Sequence, residues 1–146
     1  MKIFKVLILC FLSYLPLTPL TAQEVSVLNN FLGKWNAYSN TFIYFLGDLN
    51  ITNEKLCFSR AGECKYQIVS NAKDRLLLKL DRKIDGVYYI AIGPMRKSEY
   101  SNDEMLLEMA FYNTKEKGLL ALTKRDPMKG CEGWGIYFRK LKKTIE

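Results

Sequence analysis

Apolar and polar residues alternate with a period of two along most of this chain, and this alternation limits the possible folds more than any other feature. The clearest segment is 103–112, in which Met105, Leu107, Met109 and Phe111 fall on one face. Met, Leu and Glu are good helix formers, so a helix is the alternative for this segment. The regular alternation and the similar segments around it predict a strand instead.

Turn signals divide the alternating segments into short strands. Asp85-Gly86 is a typical hairpin turn, and Arg60-Ala61-Gly62 is a three-residue hairpin loop with glycine where a left-handed backbone is needed. Gly93-Pro94 ends another strand. The predicted strands are residues 33–38, 41–52 with a possible bend at Leu46-Gly47-Asp48, 55–59, 63–69, 75–81, 87–92, 103–112, 119–124 and 134–141.

Eight or nine short strands joined mostly by tight turns, with no crossover helices between them, indicate an antiparallel meander. Such a sheet must protect its two edge strands, and closure into a barrel removes both edges. We therefore predict an all-β fold, an antiparallel up-and-down meander closed into an eight- or nine-stranded barrel. A sandwich of two sheets is the alternative.

The N-terminal segment has the layout of a secretory signal peptide. Lys2 and Lys5 precede an apolar run at 6–15, and Ala22 supplies a small residue at a plausible cleavage point before Gln23. The apolar run is short for a membrane span, which needs about 20 apolar residues. We expect residues 1–22 to be a cleaved signal peptide, with an uncleaved anchor as the alternative. We expect residues 23–146 to form one barrel domain and the protein to be exported, either secreted or periplasmic.

The chain contains no histidine, and this removes several classes of enzyme. No Ser-His-Asp or Cys-His nucleophile and no histidine-ligated zinc site can form. Among the acidic residues, Asp85 lies in a turn, and Glu104 and Glu108 lie on a predicted solvent face, where they favour solubility rather than catalysis. We therefore expect a protein that is not an enzyme and that uses no cofactor or metal.

Basic residues outnumber acidic ones by 22 to 15, which gives a formal net charge of +7. Much of the surplus lies in the C-terminal tail at 139–143. A basic tail is either simply solvated or a weak anchor for an anionic surface. Because an exported protein is separated from DNA and RNA, we expect no nucleic-acid partner.

The first predicted strand carries Gly33-Lys34-Trp35, and Ser98-Glu99-Tyr100 precedes a later strand. These two motifs resemble the Gly-x-Trp and Thr-Asp-Tyr motifs of lipocalins, a family of small barrels. The resemblance implies that Trp35 closes one end of the barrel and that a basic residue at the end of the last strand packs across its indole. Two residues could fill that role, Arg125 and Arg139.

Strand parity separates the two arginines, because the closing strand must run antiparallel to the first one. The strand that ends at Arg125 closes the barrel if four strands precede Arg75, and the strand that ends at Arg139 closes it if only three do. We favour Arg139, because the segment at 134–138 is too apolar to lie unpaired outside the barrel.

Three cysteines, Cys57, Cys64 and Cys131, follow the signal peptide, so an oxidising compartment predicts one disulfide and one remaining thiol. In a meander, Cys64 and Cys131 lie at opposite ends of strands about 20 Å long, which is too far for a bond. We therefore predict a Cys57–Cys64 disulfide across one hairpin. Alternation puts the two cysteines on opposite faces, so the bond requires a bulge at Gly62.

Because catalysis is not expected, we expect a binding function, and two hypotheses describe what the protein binds. A carrier of a small hydrophobic molecule would have a hollow interior lined by tyrosine, methionine and other apolar side chains. Plain packing of the core is the alternative explanation of the same residues. A protein-interaction module, such as an inhibitor of an extracellular hydrolase, would have a filled interior and an exposed apolar patch. The candidate lining residues are Tyr66, Tyr89, Met105, Leu107, Met109 and Phe111.

Overall fold

The computed structural model describes residues 19–124 and 130–142. Arg125 and residues 1–18 of the expected signal peptide lie outside the described residues. An α-helix, α1, occupies Ala22–Phe31 and begins with Thr21 as its N-cap. The Thr21 hydroxyl accepts a hydrogen bond from the Glu24 amide, and the Glu24 carboxylate accepts one from the Thr21 amide. This reciprocal pair is a capping box, which satisfies two amides that the helix itself cannot pair.

Eight antiparallel strands pair in chain order, and the last returns to the first, so the sheet closes into a barrel. This confirms the predicted all-β meander and excludes the two-sheet alternative. We call the end where β1 begins and β8 finishes the closed end, and the opposite one the open end. The strands are β1 Gly33–Ala37, β2 Leu49–Ile51, β3 Lys55–Phe58, β4 Gly62–Ala72, β5 Arg75–Ile84, β6 Val87–Lys97, β7 Glu104–Tyr112 and β8 Gly133–Lys140.

The segment 41–52 is not one strand, as the sequence predicted, but a turn of π-helix at Phe42–Leu46 followed by β2. Phe42 and Leu46 are buried at the open end, whereas the three residues between them are exposed. A strand would send alternate side chains to opposite faces. Burial of the first and last residues of a five-residue run instead requires a helical turn.

The segment 119–124 is also not a strand, because α2 occupies Lys115–Thr123. The Thr114 hydroxyl caps this helix by accepting a hydrogen bond from the Lys117 amide. The buried residues Gly118, Ala121 and Leu122 have helical spacing and pack on the outer wall of the barrel. A side chain at Gly118 would collide with Leu77 of β5, so the glycine permits the close approach.

Arg139 lies on the closing strand, as predicted, but the parity argument rested on a wrong count. Four strands precede β5, which was the condition that favoured Arg125. Because the segment before Arg125 is helical, it adds no strand, and β8 becomes the eighth and closing strand. β8 pairs with β1 through Asn36–Phe138 and Ala37–Tyr137.

The wall of the barrel is apolar on both faces where α2 covers it. The strand prediction for 103–112 is confirmed by β7. Its odd-numbered residues join the interior cluster, whereas Ala110 and Tyr112 pack outward beneath α2. Both faces of this strand are therefore used for packing.

The predicted Cys57–Cys64 disulfide is wrong, since the two cysteines are not bonded. Cys57 pairs across the hairpin with Glu63, and Cys64 pairs with Leu56. Cys57 is partly exposed on the outer face, and Cys64 is buried inside the barrel. The register that places the apolar side chains inward thus sends the two thiols to opposite sides of the sheet.

Candidate functional site

The closed end of the barrel is filled by α1. Val27, Leu28 and Phe31 on one side of the helix are buried in the interior cluster together with Trp35. This spacing of three and four residues puts the apolar side chains on one helix face. The helix therefore acts as a plug, and its outer side remains in solvent.

Trp35 and Arg139 make the contact that the resemblance to lipocalins implied. The guanidinium carbon of Arg139 lies 4.1 Å from the centre of the Trp35 ring, which is a cation–π contact. Arg139 Nη1 donates to the carbonyl of Leu32 at 3.0 Å, and Nη2 donates to the carbonyl of Asn30 at 2.9 Å. Trp35 Nε1 donates to the Phe31 carbonyl at 2.7 Å. The pair thus satisfies three carbonyls at the end of α1, so its position in this structure explains stability rather than ligand binding.

The ring of Phe42, the first residue of the π-helical turn, fills the open end of the barrel. The ring of Phe42 lies edge-on to Phe111, with 5.8 Å between centres, and tilted against Tyr137 at 5.0 Å. Gly135 makes room for this ring, because a Cβ there would lie 2.6 Å from Phe42 Cζ. One cluster of buried side chains therefore includes both the helix residues at one end and the Phe42 ring at the other.

Hydrogen bonds hold the π-helical turn to the barrel. The buried Tyr137 hydroxyl donates to the Gly47 carbonyl at 3.2 Å, and burial raises the pKa of that hydroxyl. The Leu46 carbonyl accepts from the amides of Arg60 and Ala61 at 3.0 and 3.2 Å. Because both its side chains and its backbone are held, the turn presents its outer side chains from a fixed support.

The six candidate lining residues do not form one cavity wall. Leu107, Met109 and Phe111 are buried in the interior cluster, and Met105 and Tyr66 pack against its edge. Tyr89 was placed wrongly, because it lies on the outer face and packs against the cluster beneath α2. An irregular pairing between β5 and β6 lies beside it. The side chains that were candidates to surround a ligand instead contact one another or the outer wall.

Tyr66 faces a cleft rather than a central cavity. Its hydroxyl donates to the Thr52 carbonyl at 2.6 Å, and burial raises its pKa to about 12. The cleft has a volume of about 730 Å³ and opens where the turn between β2 and β3 leaves β4. A second cleft of about 340 Å³ crosses the outer face of β1 to β3. The first cleft is lined by Asn53, Glu54, Lys65, Tyr66, Gln67, Lys79, Leu80 and Asp81, which carry charges of both signs.

A patch of apolar side chains is exposed at the open end, and we call it the open-end aromatic surface. It consists of Tyr38 and the three outer residues of the π-helical turn, Ile43, Tyr44 and Phe45. Their exposed fractions are 51%, 38%, 68% and 69%. Tyr38 is held edge-on against Phe138 at 5.8 Å. The alternation of the sequence did not predict this surface, and the available signal was the run of five successive apolar residues at 42–46 that breaks the alternation.

Three basic residues lie beside this surface, and we call them the basic flank: Arg60, Arg82 and Lys83. The backbone amide of Arg60 itself donates to the Leu46 carbonyl of the π-helical turn at 3.0 Å. Arg82 donates from Nη2 to the Ala61 carbonyl at 2.7 Å and from Nε to the Glu63 carbonyl at 2.7 Å. Lys83 Nζ lies 5.5 Å from the centre of the Tyr88 ring, another exposed aromatic residue. Aromatic and cationic side chains therefore both lie at the rim of the open end.

Within residues 19–124 and 130–142, no three cysteine or carboxylate side chains come together closely enough to hold a metal ion. No helix in these ranges is long and apolar enough to cross a membrane. Comparisons with models of protein families, with curated proteins and with solved structures gave no match for this chain.

Proposed function

We propose that this chain is an exported barrel that docks by its open end on the surface of a lipid membrane. The observation that carries the proposal is the open-end aromatic surface, in which Tyr44 and Phe45 are each about two-thirds exposed on a turn held from beneath by Phe42 and Leu46. Large apolar side chains that are fixed in solvent mark an interaction site.

The carrier hypothesis receives less support. A barrel of eight strands is just wide enough for its own side chains or for one small ligand. Here Phe42 closes one end, α1 closes the other, and the side chains between them form one buried cluster. The buried cluster and the exposed patch support an interaction role more than a carrier role.

The shape of the patch favours a bilayer over a protein as its partner. Successive side chains on a helical turn point in different directions, so Ile43, Tyr44 and Phe45 fan out from the turn. A bilayer can surround such a projection from every side, whereas a protein would need a cup of matching shape. Tyrosine also favours the membrane–water interface, because its ring is apolar and its hydroxyl is polar.

The closed barrel and the contact between Trp35 and Arg139 support a relationship to lipocalins. A docking role requires no catalysis, which agrees with the expectation that the protein is not an enzyme. Export would bring the open end to an extracytoplasmic membrane face.

Co-flotation with phospholipid vesicles that contain phosphatidylglycerol tests the proposal. We expect the native protein to float with the vesicles and Tyr44→Ser/Phe45→Ser to lose at least about tenfold in affinity, since each side chain contributes about 1 kcal/mol on partial insertion. The control is Tyr100→Ser, which removes an aromatic side chain that is 91% exposed at the opposite end.

The control variant should bind like the native protein. Native protein that fails to float, or that floats equally well without Tyr44 and Phe45, would contradict the proposal. A protein partner would then be the better explanation of the exposed surface.

A further inference from the structure

We infer that the basic flank makes docking selective for anionic lipid headgroups. This inference rests on the proposed function, because the open-end aromatic surface must first bring the rim to the membrane. It adds the chemistry of the partner, namely phosphate-bearing headgroups with a net negative charge, to which Arg60, Arg82 and Lys83 would be attracted.

The three cations are available for such a contact. Within the described residues, none of the three lies within ion-pair distance of a carboxylate, whereas four other basic residues do. The guanidinium of Arg82 bonds to backbone carbonyls, which leave its positive charge uncompensated. All three residues are exposed. Their charge therefore projects into solvent beside the aromatic side chains.

The position of the cations suits a headgroup contact. The loop that carries Arg60 bonds directly to the π-helical turn, and Arg82 bonds to the same loop. When Tyr44 and Phe45 enter the apolar boundary, these basic side chains remain at the level of the headgroups. Long basic side chains readily adopt this arrangement, with the stem along the surface and the charge in the polar layer.

Acidic residues near the rim reduce the positive charge of the basic flank without cancelling it. Asp85 lies at the tip of the turn between β5 and β6, and Asp48 follows the π-helical turn. The Asp48 carboxylate already accepts a hydrogen bond from the Ala37 amide at 2.9 Å. The backbone carbonyl of Glu63 contacts Arg82, and the Glu63 carboxylate pairs with Lys55 Nζ at 3.1 Å, so two of the nearby carboxylates already have partners.

The test compares binding to vesicles of phosphatidylcholine alone with binding to vesicles that also contain phosphatidylglycerol. The proteins are the native chain, Arg60→Gln/Lys83→Gln and the charge-preserving control Arg60→Lys/Lys83→Arg. Arg82 is left unchanged because it bonds to the backbone. Each basic residue near an anionic surface contributes about fivefold in affinity, so the glutamine variant should lose about 25-fold on the anionic vesicles.

We expect the charge-preserving control to bind like the native protein, and raised salt to weaken both by screening. Urea midpoints should agree among the three proteins, which would show that folding is unchanged. Equal native binding to both kinds of vesicle, or equal binding by the glutamine variant, would overturn the inference while leaving membrane docking intact. Native protein that binds neither vesicle would overturn the proposed function and this inference together.

Asp85→Asn gives a second, opposite test. Asp85 has a positive φ of 50°, a conformation that asparagine also adopts readily. Removal of this carboxylate should strengthen binding to anionic vesicles several-fold and leave binding to phosphatidylcholine unchanged. Unchanged or weaker binding to the anionic vesicles would count against a charge-selective rim.

Discussion

The two ends of the barrel are both filled by side chains, but they differ in what remains outside. At the closed end, α1 turns Val27, Leu28 and Phe31 inward. Its outer side carries mostly polar residues, among them Ser26, Asn29 and Asn30, and one large apolar residue, Val25, that is 40% exposed. At the open end, Phe42 and Leu46 turn inward, and the residues between them are all large, apolar and exposed.

This difference shows that filling a barrel end does not require exposed apolar side chains. The helix α1 fills the closed end with its apolar face and presents a mainly polar face to solvent, as expected for a surface helix. Polar residues between Phe42 and Leu46 would leave both anchors in place. The exposed side chains are therefore not explained by stability, and their explanation lies in what they contact outside the molecule.

The largest expected loss of stability comes from the closed end. Trp35→Ala should lower the free energy of unfolding by about 4 kcal/mol, because it removes a large buried side chain and leaves the Arg139 guanidinium without its ring. Urea denaturation measures this loss. Trp35→Phe retains most of the volume and should cost less. A loss below about 1 kcal/mol for the alanine variant would show that α1 alone closes this end.

At the open end, a smaller effect should depend on one pair of residues. Gly135→Ala should cost about 2 kcal/mol, because its new methyl group would press on the ring of Phe42. The same substitution made in a Phe42→Ala background should cost almost nothing, since the space is then free. A double-mutant cycle in urea measures this coupling. Additive losses would mean that Phe42 does not occupy the space above Gly135.

High pH should weaken both ends through two tyrosines, the half-buried Tyr66 and the buried Tyr137. Burial raises the pKa of Tyr66 to about 12 and raises that of Tyr137. An unfolded tyrosine has a pKa of about 10, so above that pH the unfolded state releases protons that the folded state retains. Stability is therefore complete below pH about 10 and falls as pH rises toward about 12.

Tyr66→Phe and Tyr137→Phe separate the contributions of the two ends. Each should reduce the slope of unfolding free energy against pH by up to about 1.4 kcal/mol per pH unit, the value for one proton. Urea midpoints at a series of alkaline pH values measure the slope. If neither variant changed it, these hydroxyls would not be responsible for the alkaline loss.

The smallest expected effect on stability lies in the open-end aromatic surface. Tyr44→Ser/Phe45→Ser should change the free energy of unfolding by about 0.5 kcal/mol or less, because both side chains are mostly in solvent. Thermal and urea unfolding of the variant and native protein give the comparison. A loss above about 2 kcal/mol would assign these residues to the core and would weaken the case for an external role.

Local sequence signals were enough for most strands of the barrel, but they did not predict α1, which fills the closed end. The alternation in β7 reflects the two faces of one strand, and the glycine before Trp35 lies where a new strand begins. These signals involve neighbours in the chain. The π-helical turn and α2 depend instead on distant partners, since Phe42 needs the space above Gly135 and Gly118 needs contact with Leu77.

The candidate site was missed for the same physical reason. Residues 42–46 are rich in aromatic and β-branched residues, which favour strands when taken alone. Only the closed barrel shows that the ends of this run are buried and its middle is exposed. The wrong disulfide had a related cause, because closeness along a hairpin was given more weight than the alternation of faces.

The most direct test of membrane docking is the depth of Tyr44 in a bilayer. Tyr44→Trp provides a fluorescent side chain at the open end, and Tyr100→Trp provides its counterpart at the closed end, each read against the constant signal of the two native tryptophans. With anionic vesicles that contain brominated lipid, the account predicts a blue shift and quenching of the added tryptophan at position 44 and neither change at position 100. Equal quenching at both positions, or none at position 44, would contradict it.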